Sequence, residues 1–140
     1  MKIKLEMDLE RAILLMHACE TMARIGMGQF KAMVDLLRPD FNWDQGWDIE
    51  RFLKERIFPE MSPQGYNGIK CKEVNESTQV AWDAYQHIRR EISWFDAGKD
   101  FRKDQRDWKT MMTVNFDDPM KASKLAGDFK TERLEDNEDI

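Results

Sequence analysis

A long helical stripe near the middle of the chain constrains the fold most strongly. Between residues 77 and 95, apolar side chains recur every three or four positions, which is the spacing of one face of an α-helix. The stripe consists of Ala81, Ala84, Tyr85, Ile88, Ile92 and Phe95. A helix with a continuous apolar side buries that side in a core or against another helix. The chain is therefore expected to be built from packed helices.

Helical spacing also predicts two helices in the first 40 residues. The first runs over residues 9–24, with Asp8 as its N-terminal cap. Gly26 is the residue type that commonly ends a helix in a left-handed conformation. The second helix begins near Gly28 and stops before Pro39.

The next region is predicted to hold one short helix between two loops. Residues 40–48 mix aromatic side chains with Asp, Asn, Gln and Gly, which indicates an ordered loop. Asp48 can then cap a short helix that extends through Phe58. Prolines and glycines make residues 59–68 a second loop.

Two short strands complete the expected fold. Residues 2–7 alternate polar and apolar side chains, and residues 110–116 are rich in β-forming residues. We expect a mostly α-helical α+β fold of three to four packed helices, with a small two-stranded antiparallel sheet formed by these N-terminal and C-terminal strands. Residues 1–120 would form one domain, followed by a charged, weakly structured tail over residues 121–140.

Composition narrows the classes of function. The net charge of −5 argues against a nucleic-acid-binding protein, which usually carries a basic face. No apolar run approaches the roughly 20 residues that span a bilayer, and no signal peptide opens the chain. We therefore expect a cytoplasmic protein without a membrane partner. Cys19 and Cys71 lie far apart in sequence and are expected to be free thiols.

The first candidate site lies between the two N-terminal helices. Gly26 and Gly28 could expose backbone amides at the start of the second helix, where a phosphate group is favoured. Arg24 could add a bidentate contact and Gln29 a directional one. The alternative is a tight connector in which the glycines supply backbone freedom and the arginine interacts with the end of the preceding helix.

The second candidate site lies on the long helix. Tyr85 and Arg89 are four residues apart and share a face, and His87 lies between them. An aromatic face beside a guanidinium group can hold a purine and its phosphates, with these three residues contacting base or ribose. The alternative places Tyr85 in the core and pairs the arginines with Glu91 or Asp83.

The sequence predicts no metal ion, no cofactor and no catalytic centre. His17 and Cys19 are two residues apart on a helix, so they point in different directions and do not form a zinc-binding pair. The chain has no nucleophile elbow, phosphate-binding loop or two-histidine zinc helix. His87 could transfer a proton, but no nucleophile is identified beside it.

The chain carries five tryptophans, which is a large number for 140 residues. Trp43, Trp47 and Trp108 fall in predicted loops or connectors. Buried loop packing explains such residues in many proteins, but exposed aromatic loops also anchor interfaces. We expect self-association into a homodimer or a higher oligomer, with the long helix contributing to the interface.

Three segments resemble a family of small proteins of unknown function from tailed bacteriophages. The matching runs are Arg24-Ile-Gly-Met-Gly-Gln-Phe30, Ala81-Trp-Asp-Ala-Tyr-Gln-His-Ile-Arg-Arg90 and Val114-Asn-Phe-Asp-Asp-Pro-Met120. The likeness covers residues 3–38, 77–95 and 110–120 in the same order. It implies a phage accessory protein acting in the host-cell cytoplasm.

Small phage proteins without catalytic motifs often act by binding. The leading hypothesis is therefore a non-enzymatic protein that binds, and sequesters, an anionic nucleotide-like molecule such as a host defence signal. The alternative is an interaction module that engages a host or phage protein through its tryptophan-bearing loops and its acidic tail.

Overall fold

The chain forms four helices in a computed structural model that describes residues 1–62, 67–97, 122–123 and 129–134. They are α1 (Leu9–Gly26), α2 (Lys31–Leu37), α3 (Trp43–Ile57) and α4 (Glu76–Ala97). The most extensive helix contact joins α1 to α4, while α2 contacts both α1 and α3. Of the four helices, α3 packs only on α2. The fold is therefore a long helix pair with a smaller α2–α3 unit attached at the C-terminal end of α1.

Side-chain and backbone caps define both ends of α1. The Asp8 side chain accepts the backbone N–H of Arg11 at 2.9 Å, as the sequence predicted. At the other end, the N–H of Gly28 bonds to the carbonyl of Ile25 at 3.0 Å, and that of Gln29 bonds to Arg24 at 2.8 Å. These two bonds form a Schellman motif. Its left-handed residue is Gly28, with φ at +78°, whereas the sequence had assigned this role to Gly26.

Gly26 instead allows α1 and α4 to approach each other closely. It is the last residue of α1, and a Cβ atom built on it would lie 1.9 Å from the Thr78 hydroxyl oxygen. Ala23 on α1 and Ala81 on α4 are also buried. Small side chains at the contact let the helix axes approach, and Ala81 and Tyr85 of the predicted stripe are buried where α4 packs on α1.

Helix α3 begins six residues earlier than the sequence predicted. The Asn42 side chain accepts the N–H of Gln45 at 2.9 Å, and the Gln45 side chain accepts the N–H of Asn42 at 2.9 Å. This reciprocal capping box starts the helix at Trp43. The expected loop over residues 40–48 is therefore wrong, because the cap lies at Asn42 rather than at Asp48.

A small hydrophobic core closes the end of the molecule where α1, α3 and α4 meet the connecting loops. Met27, Met61 and Val74 are its buried centre, and Phe58 and Trp82 pack against it. The Phe30 and Phe58 rings lie 6.0 Å apart, which joins the start of α2 to the end of α3. This core holds the smaller α2–α3 unit against the helix pair.

The predicted two-stranded sheet is wrong for the part of the chain that the structure describes, which contains helices and no strand. Residues 2–7 have no regular secondary structure and are exposed: Ile3 and Leu5 keep 75% and 71% of their surface. An alternating pattern forms a strand only when a second strand supplies its hydrogen bonds. The proposed partner strand, residues 110–116, lies outside the described residues.

Part of the C-terminal segment lies along α4. The buried Asp83 carboxylate accepts the backbone N–H groups of Ala122 at 2.7 Å and Ser123 at 2.9 Å. The Thr131 hydroxyl lies 3.3 Å from a Glu91 carboxylate oxygen. Asp83 and Glu91 are eight residues apart, so they share one face of α4. The fold prediction contained neither contact.

Candidate functional site

Arg24 and Glu20 form an ion pair on consecutive turns of α1. The Arg24 Nε and Nη2 atoms each lie 3.0 Å from Glu20 Oε1. Both side chains are partly buried, with 29% and 22% of their surface exposed. The carboxylate therefore compensates much of the guanidinium charge, but solvent and small solutes still reach the pair.

Gln29 extends this network from the loop after α1. Its side-chain oxygen accepts a hydrogen bond from Arg24 Nη1 at 2.8 Å. Its Nε2 atom is buried and has no hydrogen-bond acceptor among the described residues. A buried amide donor without an acceptor is unfavourable by about 1–3 kcal/mol. An additional acceptor at this position, from a ligand or from elsewhere in the chain, would satisfy it.

Tyr85 approaches the same network from α4. Only 2% of the residue is exposed, so its ring is a core element and offers no free face for stacking. Burial raises the pKa of the Tyr85 phenol, and the Glu20 charge acts in the same direction. The charges of Arg89 and Arg24, together with a hydrogen bond from Arg89, oppose this rise in pKa. The phenol is therefore surrounded by the charged groups of both helices.

Arg89 lies one turn after Tyr85, and its guanidinium carbon is 5.7 Å from the tyrosine ring centroid. No carboxylate of the described residues forms an ion pair with it, whereas the next residue, Arg90, pairs with Glu91 at 2.9 Å. The residues Glu20, Arg24, Gln29, Tyr85 and Arg89 are called the arginine cluster below. It contains two guanidinium groups and one carboxylate, so its formal charge is positive.

The two predicted glycines do not present free amides to a ligand. The N–H of Gly28 is used in the Schellman motif, and Gly26 belongs to α1. The N–H of Lys31, at the start of α2, donates to Glu50 Oε1 at 3.0 Å. The geometry matches the connector interpretation for these glycines, and the positive charge of the region comes from side chains.

The structure places His87 away from the arginine cluster. Its Nδ1 atom lies 2.7 Å from the carbonyl oxygen of Asp83, and its ring centroid is 5.9 Å from that of Phe129. It therefore faces the C-terminal segment. Of the seven predicted ligand residues, the structure brings the side chains of Arg24, Gln29, Tyr85 and Arg89 to one region. Gly26 and Gly28 lie beside them in the chain, and His87 faces the C-terminal segment.

Glu20 was missing from the site predicted from the sequence, although its carboxylate compensates part of the positive charge of the cluster. Glu20 precedes Arg24 by four positions, the spacing at which a glutamate and an arginine pair on a helix. That spacing was a usable signal. The buried role of Asp83 had no comparable signal, because its partners are backbone groups about 40 residues away in sequence.

Trp43 and Trp47 form a second surface of functional interest. They lie on consecutive turns of α3, with 68% and 39% of their surface exposed, and their ring centroids are 5.6 Å apart in an edge-to-face arrangement. The Lys31 ammonium lies 4.6 Å from the Trp43 ring centroid and 2.7 Å from an Asp35 carboxylate oxygen. The Lys31 side chain passes over Gly46: a Cβ atom built at Gly46 would lie 3.5 Å from Lys31 Cε.

The described residues contain neither a metal-binding group nor a membrane-spanning helix. No group of three or more His, Cys, Asp or Glu side chains in that part is arranged to hold a metal ion. None of its helices combines the length and the apolar character needed to cross a membrane.

Comparison with known proteins identifies no relative. No protein-family model matches the chain, and no curated protein or solved structure is significantly similar to it.

Proposed function

We propose that the protein binds a small anionic molecule of the nucleotide type at the arginine cluster, without turning it over. One observation carries this proposal: Arg24 and Arg89 both lie near enough to the Tyr85 phenol to affect its pKa, and Arg24 also bonds to Gln29, whose buried Nε2 atom has no acceptor among the described residues. Within this cluster Glu20 is the single carboxylate. A phosphate group offers the acceptors and the negative charge that such an arrangement lacks. The proposed setting, a phage protein that sequesters a defence signal, rests on the sequence resemblance.

The geometry changes the expected mode of binding. Because only 2% of Tyr85 is exposed, the proposed ligand contacts the two guanidinium groups rather than the tyrosine ring or its hydroxyl. The ligand also competes with Glu20 for Arg24. Binding is therefore expected to weaken as salt concentration rises, since the site is partly open to solvent.

The test is a titration of the purified protein with inorganic phosphate, a nucleoside monophosphate, a cyclic dinucleotide and ADP-ribose. Calorimetry gives the affinity, and native mass spectrometry gives the stoichiometry. Arg89→Ala should weaken binding by about 10- to 100-fold, because it removes a charge-assisted hydrogen bond. Arg38→Ala is the control, since Arg38 is an exposed arginine that pairs with Asp40 and contacts no member of the cluster in any interaction of the described residues.

The Glu20→Gln variant distinguishes two interpretations of the cluster, an anion-binding site and a purely structural ion pair. Removal of the competing carboxylate should tighten anion binding by several-fold while the fold is retained. If none of the four probes binds at millimolar concentration, or if Glu20→Gln and Arg89→Ala leave the measured affinity unchanged, the proposal is overturned.

The tryptophan pair favours a second candidate function, the docking of a protein segment. Exposed and rigidly held tryptophans are the residues that most often dominate binding energy at interfaces. Asp44 and Asp48 directly follow them in sequence, are exposed and have no ion-pair partner among the described residues. A segment with one apolar and one basic side chain would complement this surface. The acidic tail, included in the prediction, lies mostly outside the described residues.

This second candidate is tested by cross-linking with a photoreactive residue at position 44 in infected or expressing cells, followed by identification of the captured peptide. Trp43→Ala should abolish capture, and Phe52→Ala should not, because Phe52 is a similarly exposed aromatic residue of α3 that stacks with Arg56 instead. A captured peptide without basic residues, or capture that survives Trp43→Ala, would exclude it.

A further inference from the structure

The outer face of α1 is apolar although solvent surrounds it. Leu14 keeps 69% of its surface and Met22 keeps 53%, and Ala18 between them is exposed as well. The three residues follow each other at intervals of four, so they form one stripe on the helix surface, called the outer stripe below. The inner side of the same helix carries Ala23, which is completely buried against the rest of the fold.

The outer stripe is also uncharged. Between Arg11 and Arg24, the titratable residues other than Cys19 are His17 and Glu20. Glu20 belongs to the arginine cluster, and the His17 Nδ1 atom lies 3.8 Å from its carboxylate. Arg11 lies on the same face, three positions before Leu14, and is paired with Asp8. In an antiparallel pair centred on Ala18 it would face Ile25 of the other copy, so two identical copies can meet without like-charge repulsion.

The pattern of the outer stripe is symmetric about its centre. A large side chain lies one turn before Ala18 and another lies one turn after it. When two such helices pack antiparallel about a two-fold axis through Ala18, Leu14 of each copy meets Met22 of the other. The small alanine at the crossing point lets the helix axes approach. A two-fold interface requires this kind of self-complementarity.

We propose that the outer stripe of α1 is the interface of an antiparallel two-fold homodimer, with Ala18 on the axis. The proposal is independent of the anion-binding function. It moves the interface from the long helix, where the sequence had placed it, to α1, because α4 packs against α1 and Ala81 and Tyr85 of its apolar stripe are already buried.

The size of the stripe sets the expected strength. A helix of 18 residues is about 27 Å long. One face of such a helix buries less than the roughly 800 Å² per partner of a standard interface. The dimer is therefore expected to be in exchange with the monomer at micromolar concentration, and the two species should be resolved by sedimentation velocity over a dilution series.

Charge insertion tests the location of the interface. Leu14→Glu should convert the dimer to a monomer while the circular dichroism spectrum and the melting temperature are kept, because an exposed side chain is replaced. Leu36→Glu is the matched control: Leu36 is also a helical leucine, on α2, with 65% of its surface exposed. This control should remain dimeric to the same extent as the wild type.

Disulfide trapping tests the two-fold arrangement. In a Cys19→Ser, Cys71→Ser background, Ala18→Cys should cross-link to its own copy under mild oxidation, because residues on the axis meet themselves. Leu14→Cys alone should cross-link poorly, but a mixture of Leu14→Cys and Met22→Cys proteins should cross-link efficiently. Self-linking of Leu14→Cys in preference to Ala18→Cys would indicate a parallel arrangement and overturn the proposal.

Two results of the sedimentation experiment would also overturn the proposal. A wild-type protein that stays monomeric at all concentrations excludes the dimer. If Leu14→Glu then unfolds that monomer, the stripe is covered by another part of the same chain. A dimer that dissociates equally with Leu36→Glu and Leu14→Glu places the interface elsewhere. These measurements use the wild-type cysteines, so they remain informative if the cysteine-free protein does not fold.

Discussion

Tyr85 shows how one buried residue couples the core to the arginine cluster, and this coupling predicts a pH dependence of stability. Burial raises the pKa of the phenol in the folded protein above its value of about 10 in the unfolded chain. The folded state therefore holds the proton more tightly. The corresponding stabilisation is complete below about pH 10 and is lost as the pH rises through the folded-state pKa.

We expect the free energy of unfolding of the wild type to fall more steeply above about pH 10 than that of Tyr85→Phe. Urea unfolding at a series of pH values measures both slopes. The chain contains a second tyrosine, Tyr66, which is present in both proteins and cancels in the comparison. Equal slopes for the two proteins would mean that the phenol has the same pKa in the folded and unfolded states.

Asp83 supports a second prediction at the same scale. Its carboxylate is 3% exposed and accepts two backbone N–H groups of the C-terminal segment. Asp83→Asn retains the shape but has one acceptor oxygen instead of two, so one N–H loses its partner. This should cost about 1–3 kcal/mol, expressed as weaker docking of the segment.

The measurement is the rate of tryptic cleavage within residues 121–133, which contain several lysines and Arg133. We expect faster cleavage in Asp83→Asn and an unchanged rate in Asp44→Asn, whose carboxylate is exposed on α3. An unchanged rate in Asp83→Asn would show that the two N–H bonds do not hold the segment in place.

At the scale of the elements, the contact between α1 and α4 depends on Gly26. Gly26→Ala would raise the intrinsic helix propensity of α1 by about 1 kcal/mol. It would also place a methyl group 1.9 Å from the Thr78 hydroxyl oxygen and 2.5 Å from the Thr78 methyl carbon. The steric conflict outweighs the propensity, so we expect a net loss of stability of about 1–3 kcal/mol.

A double-mutant cycle distinguishes this conflict from a general effect on the helix. Thr78→Ala removes the two nearest atoms and leaves a Cβ atom at 2.7 Å, so it should recover part of the loss caused by Gly26→Ala. Thermal or urea unfolding of the four proteins gives the coupling. Additive effects of the two substitutions would show that residues 26 and 78 do not meet.

The elements also show what the sequence can predict. The period of the apolar residues located α1 and α4, which make the most extensive helix contact of the fold. The start of α3 was missed because its signal is a local exchange of hydrogen bonds between Asn42 and Gln45, while its tryptophans stay largely exposed. The strand over residues 2–7 was predicted from alternation alone, and alternation does not supply a partner.

The candidate site was predictable to a similar degree. Tyr85 and Arg89 share a helix face by spacing, and Arg24 and Gln29 are neighbours across the end of α1, so each pair follows from local structure. Their meeting across two helices depends on which faces of α1 and α4 pack together, which one sequence does not specify. For the same reason the sequence does not show that His87, only two residues from Tyr85, faces the C-terminal segment.

At the scale of the whole molecule, the helices differ in how they are anchored. The pair α1 and α4 contains Ala23, Ala81 and Tyr85, which are among the most buried residues. Helix α3 packs on α2 alone and keeps Trp43, Phe52 and Ile57 more than half exposed. Its attachment to the pair runs through Phe58 and through Lys54, which lies against Gly28.

This asymmetry predicts two levels of stability within one fold. Amides of α1 and α4 near Ala23 and Tyr85 should exchange with deuterium only through global unfolding, and those of α3 through a smaller opening of lower free energy. Hydrogen-exchange mass spectrometry in increasing urea measures both. Gly28→Ala, which places a side chain at φ +78° with its Cβ 3.1 Å from Lys54 Cε, should accelerate exchange in α3 more than in α4. Equal acceleration in both helices would show that the molecule opens as a single unit.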